Sequence, residues 1–126
     1  MNWLTIDMVE AFHRESLALF GGVDGLRDRG LLESALARPG NTLAYEPDAD
    51  LIRLAAAYCH GLVKNHPFID GNKRTGTLAA VVFLGTNGVE VDFDEAEIAV
   101  MIIGLAASEF TEDDLANWLR KNAMRS

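Results

Sequence analysis

A chain of 126 residues with 49 % hydrophobic and 24 % charged residues has the size and composition of one folded domain. That excludes a two-domain enzyme carrying its own large cofactor fold, and equally a multi-span membrane protein. The formal charge of −8 and the pI of about 4.7 speak against sequence-independent binding of nucleic acid, which runs on surplus Lys and Arg. The single Cys59 allows no internal disulfide; it reads as a small buried apolar residue, or as weak support for a reducing compartment. Met1-Asn2-Trp3-Leu4 lacks the basic and apolar regions of a signal peptide. The longest apolar run, Ile98 to Ala107, is about half what spans a bilayer. The expectation is a soluble cytoplasmic protein with no membrane partner.

In chain order, Thr5 to Phe20 carries Ile6, Val9, Phe12, Leu17 and Phe20 near one helical stripe. Thr5 or Asp7 caps it and Gly21-Gly22 stops it. Gly21 to Gly30 holds four glycines and reads as a loop. Leu31 to Ala37 is a short helix expected to end before Pro39. Asn41 to Asp50 reads as a loop or a small hairpin. Leu51 to Lys64 is a helix with Leu51, Ala55, Tyr58 and Leu62 on one face. Pro67 forces a loop over Asn65 to Gly71. Asn72 to Thr86, apolar from Leu78 to Leu84, is expected to be the central and most buried helix, ended by Asn87-Gly88. Val89 to Phe93 reads as a short extended segment. Asp94 to Ala107 is a helix with Asp94 and Glu97 spaced as a capping box. Thr111 to Asn122 is a last helix capped by Thr111. The sum is an all-α single domain of about six helices over residues 1–126.

Between Thr75 and Leu119 there are nine acids and no Lys or Arg. Several of those acids suit helix starts and the rest solvate a surface. Against that background Lys64, Lys73 and Arg74 form a local cationic exception. The informative stretch is His66-Pro67-Phe68-Ile69-Asp70-Gly71-Asn72-Lys73-Arg74-Thr75, placed between two predicted helices. Lys73 and Arg74 fall in the first turn of a helix, where a cation opposes the dipole by about 0.3–1 kcal/mol. An anion would compensate, since free backbone N–H groups and two cations would then converge on one phosphate. Gly71 lets the backbone approach such a ligand. Asp70 is a hard oxygen donor suited to Mg²⁺ bridging phosphates. His66 is placed to take a proton from an attacking hydroxyl. Together these are the parts of a phosphoryl or nucleotidyl transfer site. Taken singly, each residue also reads as ordinary: a surface histidine, an Asp N-cap, solvated cations. No Walker glycine loop is present.

The block resembles the Fic-fold signature, His-Pro-Phe-x-Asp/Glu-Gly-Asn-Gly/Lys-Arg, without a gap from His66 to Arg74. The short chain, Lys73 in place of glycine, and Gly30-Leu31-Leu32-Glu33-Ser34-Ala35-Leu36 followed by Arg38-Pro39 are similar to the Doc branch, the death-on-curing toxins. Fic adenylyltransferases have a second arginine where this chain has Thr77. A lysine fills the space that glycine leaves for a triphosphate tail, and one bidentate clamp is gone. The resemblance implies a reversed nucleotide and a kinase that transfers the γ-phosphate of Mg-ATP to a threonine of elongation factor Tu, halting translation. It implies His66 as general base and Asp70 as the Mg²⁺ ligand. Gly71, Asn72 and Lys73 would form the anion-binding loop, Arg74 would clamp phosphate, and Phe68 would support the loop from below. Asn41 to Asp50 would be the flap that holds the target by backbone pairing. A Phd-type antitoxin is the implied partner. Adenylyl transfer by the same fold and a non-catalytic nucleotide- or partner-binding module are the competing readings, with a metal-dependent nuclease using His66 and Asp70 behind them. His60 reads as a surface residue and His13 as half buried in the first helix. Lys64 reads as a phosphate contact or a solvated helix end. Trp3 and Trp118 read as edge packing.

Overall fold

The computed structural model describes residues 1–125. The elements are α1 (Ile6–Phe20), α2 (Arg29–Tyr45), α3 (Leu51–Asn65), α4 (Asn72–Thr86), β1 (Val89–Val91), α5 (Glu95–Ala106), α6 (Glu112–Asn122) and β2 (Ala123–Arg125). The fold is all-α with one small two-stranded antiparallel sheet, Val89 opposite Arg125 and Val91 opposite Ala123.

The axis of the bundle is α3, not α4. Ten of its residues are buried against seven in α4, and it packs on α2, α4, α5 and α6. Small residues make this possible. A Cβ at Gly61 would stand 3.1 Å from Ala35 Cα of α2, and one at Gly76 would stand 2.9 Å from Val63 Cγ2 and 3.2 Å from the Cys59 carbonyl oxygen. Glycines at these two crossings let α2 and α4 lie close against α3, where one added methyl group would force them apart. Leu78, Val81 and Val82 of α4 remain half-buried, because that helix lies at a flank, with α1 on one side and β1 beyond it. Cys59 is fully buried, and burial pushes its thiol up to about 12.

The caps follow sequence chemistry. Thr5, Asp28, Asp50, Asp94 and Thr111 each accept a hydrogen bond from a backbone N–H of the following first turn. Asp94 and Glu97 do not form the expected capping box. Asp94 accepts from Ala96 and Glu97 N–H, while Glu97 accepts from Trp118 Nε1 at 3.2 Å. The reciprocal box lies at Thr111 and Asp114.

The larger correction concerns Pro39. Helix α2 does not stop before it but runs through to Tyr45. An interior proline removes one i−4 bond and costs about 3 kcal/mol. Here the ring is buried, as are Leu32 and Ala35, with Leu36 and Leu43 packed partly on the core. Packing of both halves outweighs the local penalty. Asn41 to Tyr45 are therefore helical, and only residues 46–50 are not, so the expected hairpin over Asn41–Asp50 does not exist.

Candidate functional site

The site is built where α3 ends and α4 begins. Helix α3 closes on His66, a non-glycine residue in the left-handed region (φ 52°, ψ 54°), whose N–H donates to the Leu62 carbonyl at 3.3 Å. That conformation costs about 1–2 kcal/mol and turns the chain out of the helix, leaving the His66 side chain exposed. Pro67 and Phe68 then turn inward and are buried. The Asn72 side chain closes the loop on itself: its amide donates to the Phe68 carbonyl at 2.9 Å and its oxygen accepts from the Phe68 N–H at 3.0 Å. The Asn72 side chain is thus turned inward, and what it offers a ligand is its backbone N–H.

Beneath the loop sits His13 of α1. It is buried, not half-buried as its place in the sequence suggests. Its ring stacks on Phe68 at 3.9 Å with an interplanar angle of 8°. Its Nε2–H donates to the Asp70 carbonyl at 2.8 Å, which fixes Nε2 as a protonated nitrogen. The Asp70 carboxylate accepts from Val23 N–H at 3.2 Å and from Gly71 N–H at 2.9 Å. Those two N–H groups, followed by the charges of Arg74 and Lys73, hold its pKa below the ordinary 3.8. The exposed carboxylate is an anion at neutral pH with lone pairs to spare.

Helix α4 starts at Gly71 (φ 82°), and no side chain caps it. The first-turn N–H groups of Asn72, Lys73 and Arg74 therefore have no capping side chain, and Lys73 and Arg74 in that turn are exposed. Arg74 lies over the ring of Phe20, its Cζ 4.1 Å from the ring centroid. Thr77 Oγ1 donates back to the Lys73 carbonyl at 2.9 Å.

A second segment, well before the motif in sequence, holds its backbone. Ile69 N–H donates to the Gly25 carbonyl at 3.0 Å, and the N–H groups of Arg27 and Asp28 both donate to the Pro67 carbonyl, at 2.7 and 3.0 Å. Leu26 and Phe68 form a β-bridge. The Arg27 guanidinium donates to the carbonyls of His66 (2.7 Å) and Asn65 (2.8 Å). Two glycines make room for this strap. A Cβ at Gly22 would stand 2.8 Å from Asp70 Oδ2, and one at Gly25 would stand 2.6 Å from Ile69 Cδ1, both at positive φ.

His66, Asp70, Gly71, Lys73 and Arg74 thus share one open end of the α3–α4 pair, with Phe68 and the Asn72 side chain below. Sequence reasoning missed His13, Phe20 and Arg27, and the only hint of them was the glycine-rich run after α1. His60 and Lys64 belong elsewhere. His60 is half-buried rather than fully at the surface: its Nδ1 is buried 3.5 Å from Glu112 Oε1 without a hydrogen bond. Lys64 donates to Ser108 Oγ, beyond the end of α5. Asn41, Thr42 and Tyr45, expected in a flap, instead line a polar cleft of about 310 Å³ that reaches Asn65. Their backbones are committed to the helix and cannot pair with an extended target. Among the described residues no three His, Cys, Asp or Glu side chains cluster as a metal site. A cation at Asp70 would take its remaining oxygens from water and from a bound ligand. No helix among the described residues is long and apolar enough to cross a membrane.

Comparison with known proteins gives the family of the chain. The family model described as Fic/DOC family matches residues 3–84. The chain is 34 % identical over 121 residues to the protein kinase doc of Escherichia phage P1, covering 96 % of this chain and 95 % of that protein. It is 42 % identical over 101 residues to the toxin Doc of Mycolicibacterium smegmatis, covering 77 % of each. The matched residues contain the whole of the His66–Arg74 loop, the strap that holds it and the α1 histidine beneath it, and the chain belongs to the Fic/DOC family.

Proposed function

We propose that this chain is the toxin of a toxin–antitoxin module and works as a Mg-ATP-dependent protein kinase, transferring the γ-phosphate to a threonine of elongation factor Tu and so halting translation in the cytoplasm. A Phd-type antitoxin would neutralise it. The observation that carries the reading is the exposed His66 beside an uncapped helix start flanked by Lys73 and Arg74. The names of the two relatives, a protein kinase and a toxin, support the same reading.

The residues fit a magnesium-bound nucleotide. The uncapped N–H groups of the first turn of α4, with Lys73 and Arg74, would form an anion cradle. The anionic, exposed Asp70 is a hard donor for Mg²⁺. ATP supplies the phosphoryl group, and Mg²⁺ neutralises its charge. In this transfer His66 would take the proton of the acceptor hydroxyl onto a ring nitrogen as the hydroxyl oxygen attacks the γ-phosphorus, while the bond from that phosphorus to the bridging oxygen breaks and ADP leaves. Its ring is free of the loop's hydrogen-bond network, which the backbone of His66 and its neighbours carries instead. Arg74 offers its guanidinium edge to phosphate oxygens, and Lys73 adds a point charge.

Adenylyl transfer is the second reading, since it would use the same histidine. Two features favour the kinase. Lys73 stands where glycine would admit the triphosphate tail, and Thr77, bonded back to its own helix, offers no second clamp. The deciding experiment incubates the purified protein with elongation factor Tu and Mg²⁺, using ATP labelled at the γ- or at the α-phosphate, with His66→Ala as control. Label from γ alone supports the kinase, and label from α alone means adenylyl transfer. No label from either leaves the wrong target or a binding module. Lys73→Gly combined with Thr77→Arg is expected to shift the product toward AMP addition, read from the intact mass of the target.

A further inference from the structure

The geometry points to Phe20 as a positioning residue that holds the Arg74 guanidinium ready for phosphate while leaving its donor edge free. This rests on the reading above that Arg74 binds phosphate. Phe20 is the last residue of α1, and Gly21 turns the chain immediately after it, its N–H donating to the Leu17 carbonyl at 2.8 Å. Phe20 is 62 % exposed, so core packing does not account for its place. What it does touch is Arg74, whose Cζ lies 4.1 Å from its centroid.

Arg74 needs a partner of some kind. It stands in the first turn of α4, where the dipole is unfavourable to a cation. Among the described residues it forms no ion pair. A carboxylate would hold it, but would occupy the same in-plane N–H donors that grip phosphate bidentately. An aromatic face instead attracts the cation through its quadrupole. It covers one flat side of the guanidinium and leaves all five N–H groups available in the plane. Phe20 therefore orders Arg74 without competing with its ligand.

The test uses the full-length protein and Mg-ATP, with affinity measured by titration so that no acceptor is needed. Phe20→Tyr and Phe20→Trp are expected to keep ATP affinity. Phe20→Leu, which keeps the apolar bulk and removes the quadrupole, is expected to weaken it about three- to fivefold. A series of increasingly fluorinated phenylalanines at position 20 should weaken binding step by step, while the melting temperature moves by no more than a few degrees. In the free protein the Arg74 Nε–H resonance should carry a ring-current shift that Phe20→Leu abolishes. If Arg74→Gln abolishes ATP binding while the fluorinated series leaves it unchanged, the role of Phe20 is refuted and that of Arg74 stands. If Phe20→Leu lowers the melting temperature with no fluorine trend, the residue is merely structural and the inference fails. If Arg74→Gln binds ATP normally, the phosphate role of Arg74 itself fails.

Discussion

Individual side chains at the site divide into those that face solvent and those that hold the loop's shape, and the two groups should respond differently to substitution. His66→Ala removes an exposed ring, so we expect transfer to fall by at least about 10²-fold while the melting temperature stays within about 1 °C of the parent, read by calorimetry. His13→Ala should behave in the opposite way. It deletes a buried ring stacked on Phe68 and the donor to the Asp70 carbonyl. A loss of about 2–4 kcal/mol in chemical denaturation is expected, with activity reduced even at temperatures where the variant is folded. A stability change under 1 kcal/mol would contradict that assignment. The contrast explains what was legible in advance. His66 to Arg74 form one covalent run whose residue types declare anion chemistry. His13 owes its place to Asp70, 57 positions away, and a histidine on an amphipathic helix carries no sign of the ring it will stack on. Asn72 was legible as part of the loop but not as its internal brace.

At the level of elements, the motif loop behaves as one half of a paired structure whose other half is the segment from Gly22 to Asp28. Gly22→Ala places a Cβ 2.8 Å from Asp70 Oδ2 and 2.9 Å from Leu17 Cδ2 at φ 127°, so the carboxylate or the strap must shift and the bond from Val23 N–H to Asp70 is loosened. We expect a loss of about 1–3 kcal/mol and a larger loss of transfer than of fold, measured on the same preparation by denaturation and by the labelling assay. Retention of both would show that the strap does not shape the site. Sequence reading recovered six helices because apolar stripes ran between clear signals at several ends, the caps Thr5, Asp94 and Thr111 at three starts and the glycines after α1 and α4 at two stops. It failed at Pro39, where a local rule about backbone donors predicted an end and tertiary packing on α3 continued the helix. It also ranked α4 above α3 as the centre, because apolar density says how greasy a helix is and not which neighbours close around it. The alanine and glycine positions of α3 were the better clue. The strand Ala123–Arg125 is three residues long, too short for any period to show.

Across the whole molecule, Glu112 ties the last helix to the rest. It accepts from Arg38 Nε of α2 at 2.8 Å and from Arg53 Nη1 of α3. Burial raises its pKa, but the bonds from Arg38 and Arg53 outweigh that and leave it below the ordinary 4.5. A carboxyl depressed in the folded state contributes stability that is present above its unfolded value and is lost as pH falls through the folded one. His60, beside it, is lowered from 6.5 mainly by burial, the neighbouring cations adding to burial and Glu112 opposing. It folds neutral, so its effect is also complete above the unfolded value and erodes as pH falls below 6.5. Both act on the acid side. Glu112→Gln should flatten the decline of melting temperature below pH 4.5, and His60→Gln should flatten the decline just under pH 6.5. Parallel curves for parent and variants would refute the assignment. The bare start of α4 has a different consequence at this scale. A folded chain that ends a dipole in open N–H groups holds stability in reserve, released by mass action when an anion settles there. A ligand at a hundred times its Kd adds about 2.7 kcal/mol, enough to lower the unfolded fraction about a hundredfold. Resistance to proteolysis would then follow the supply of that anion, and the lifetime of the protein in a cell would become a function of its metabolic state.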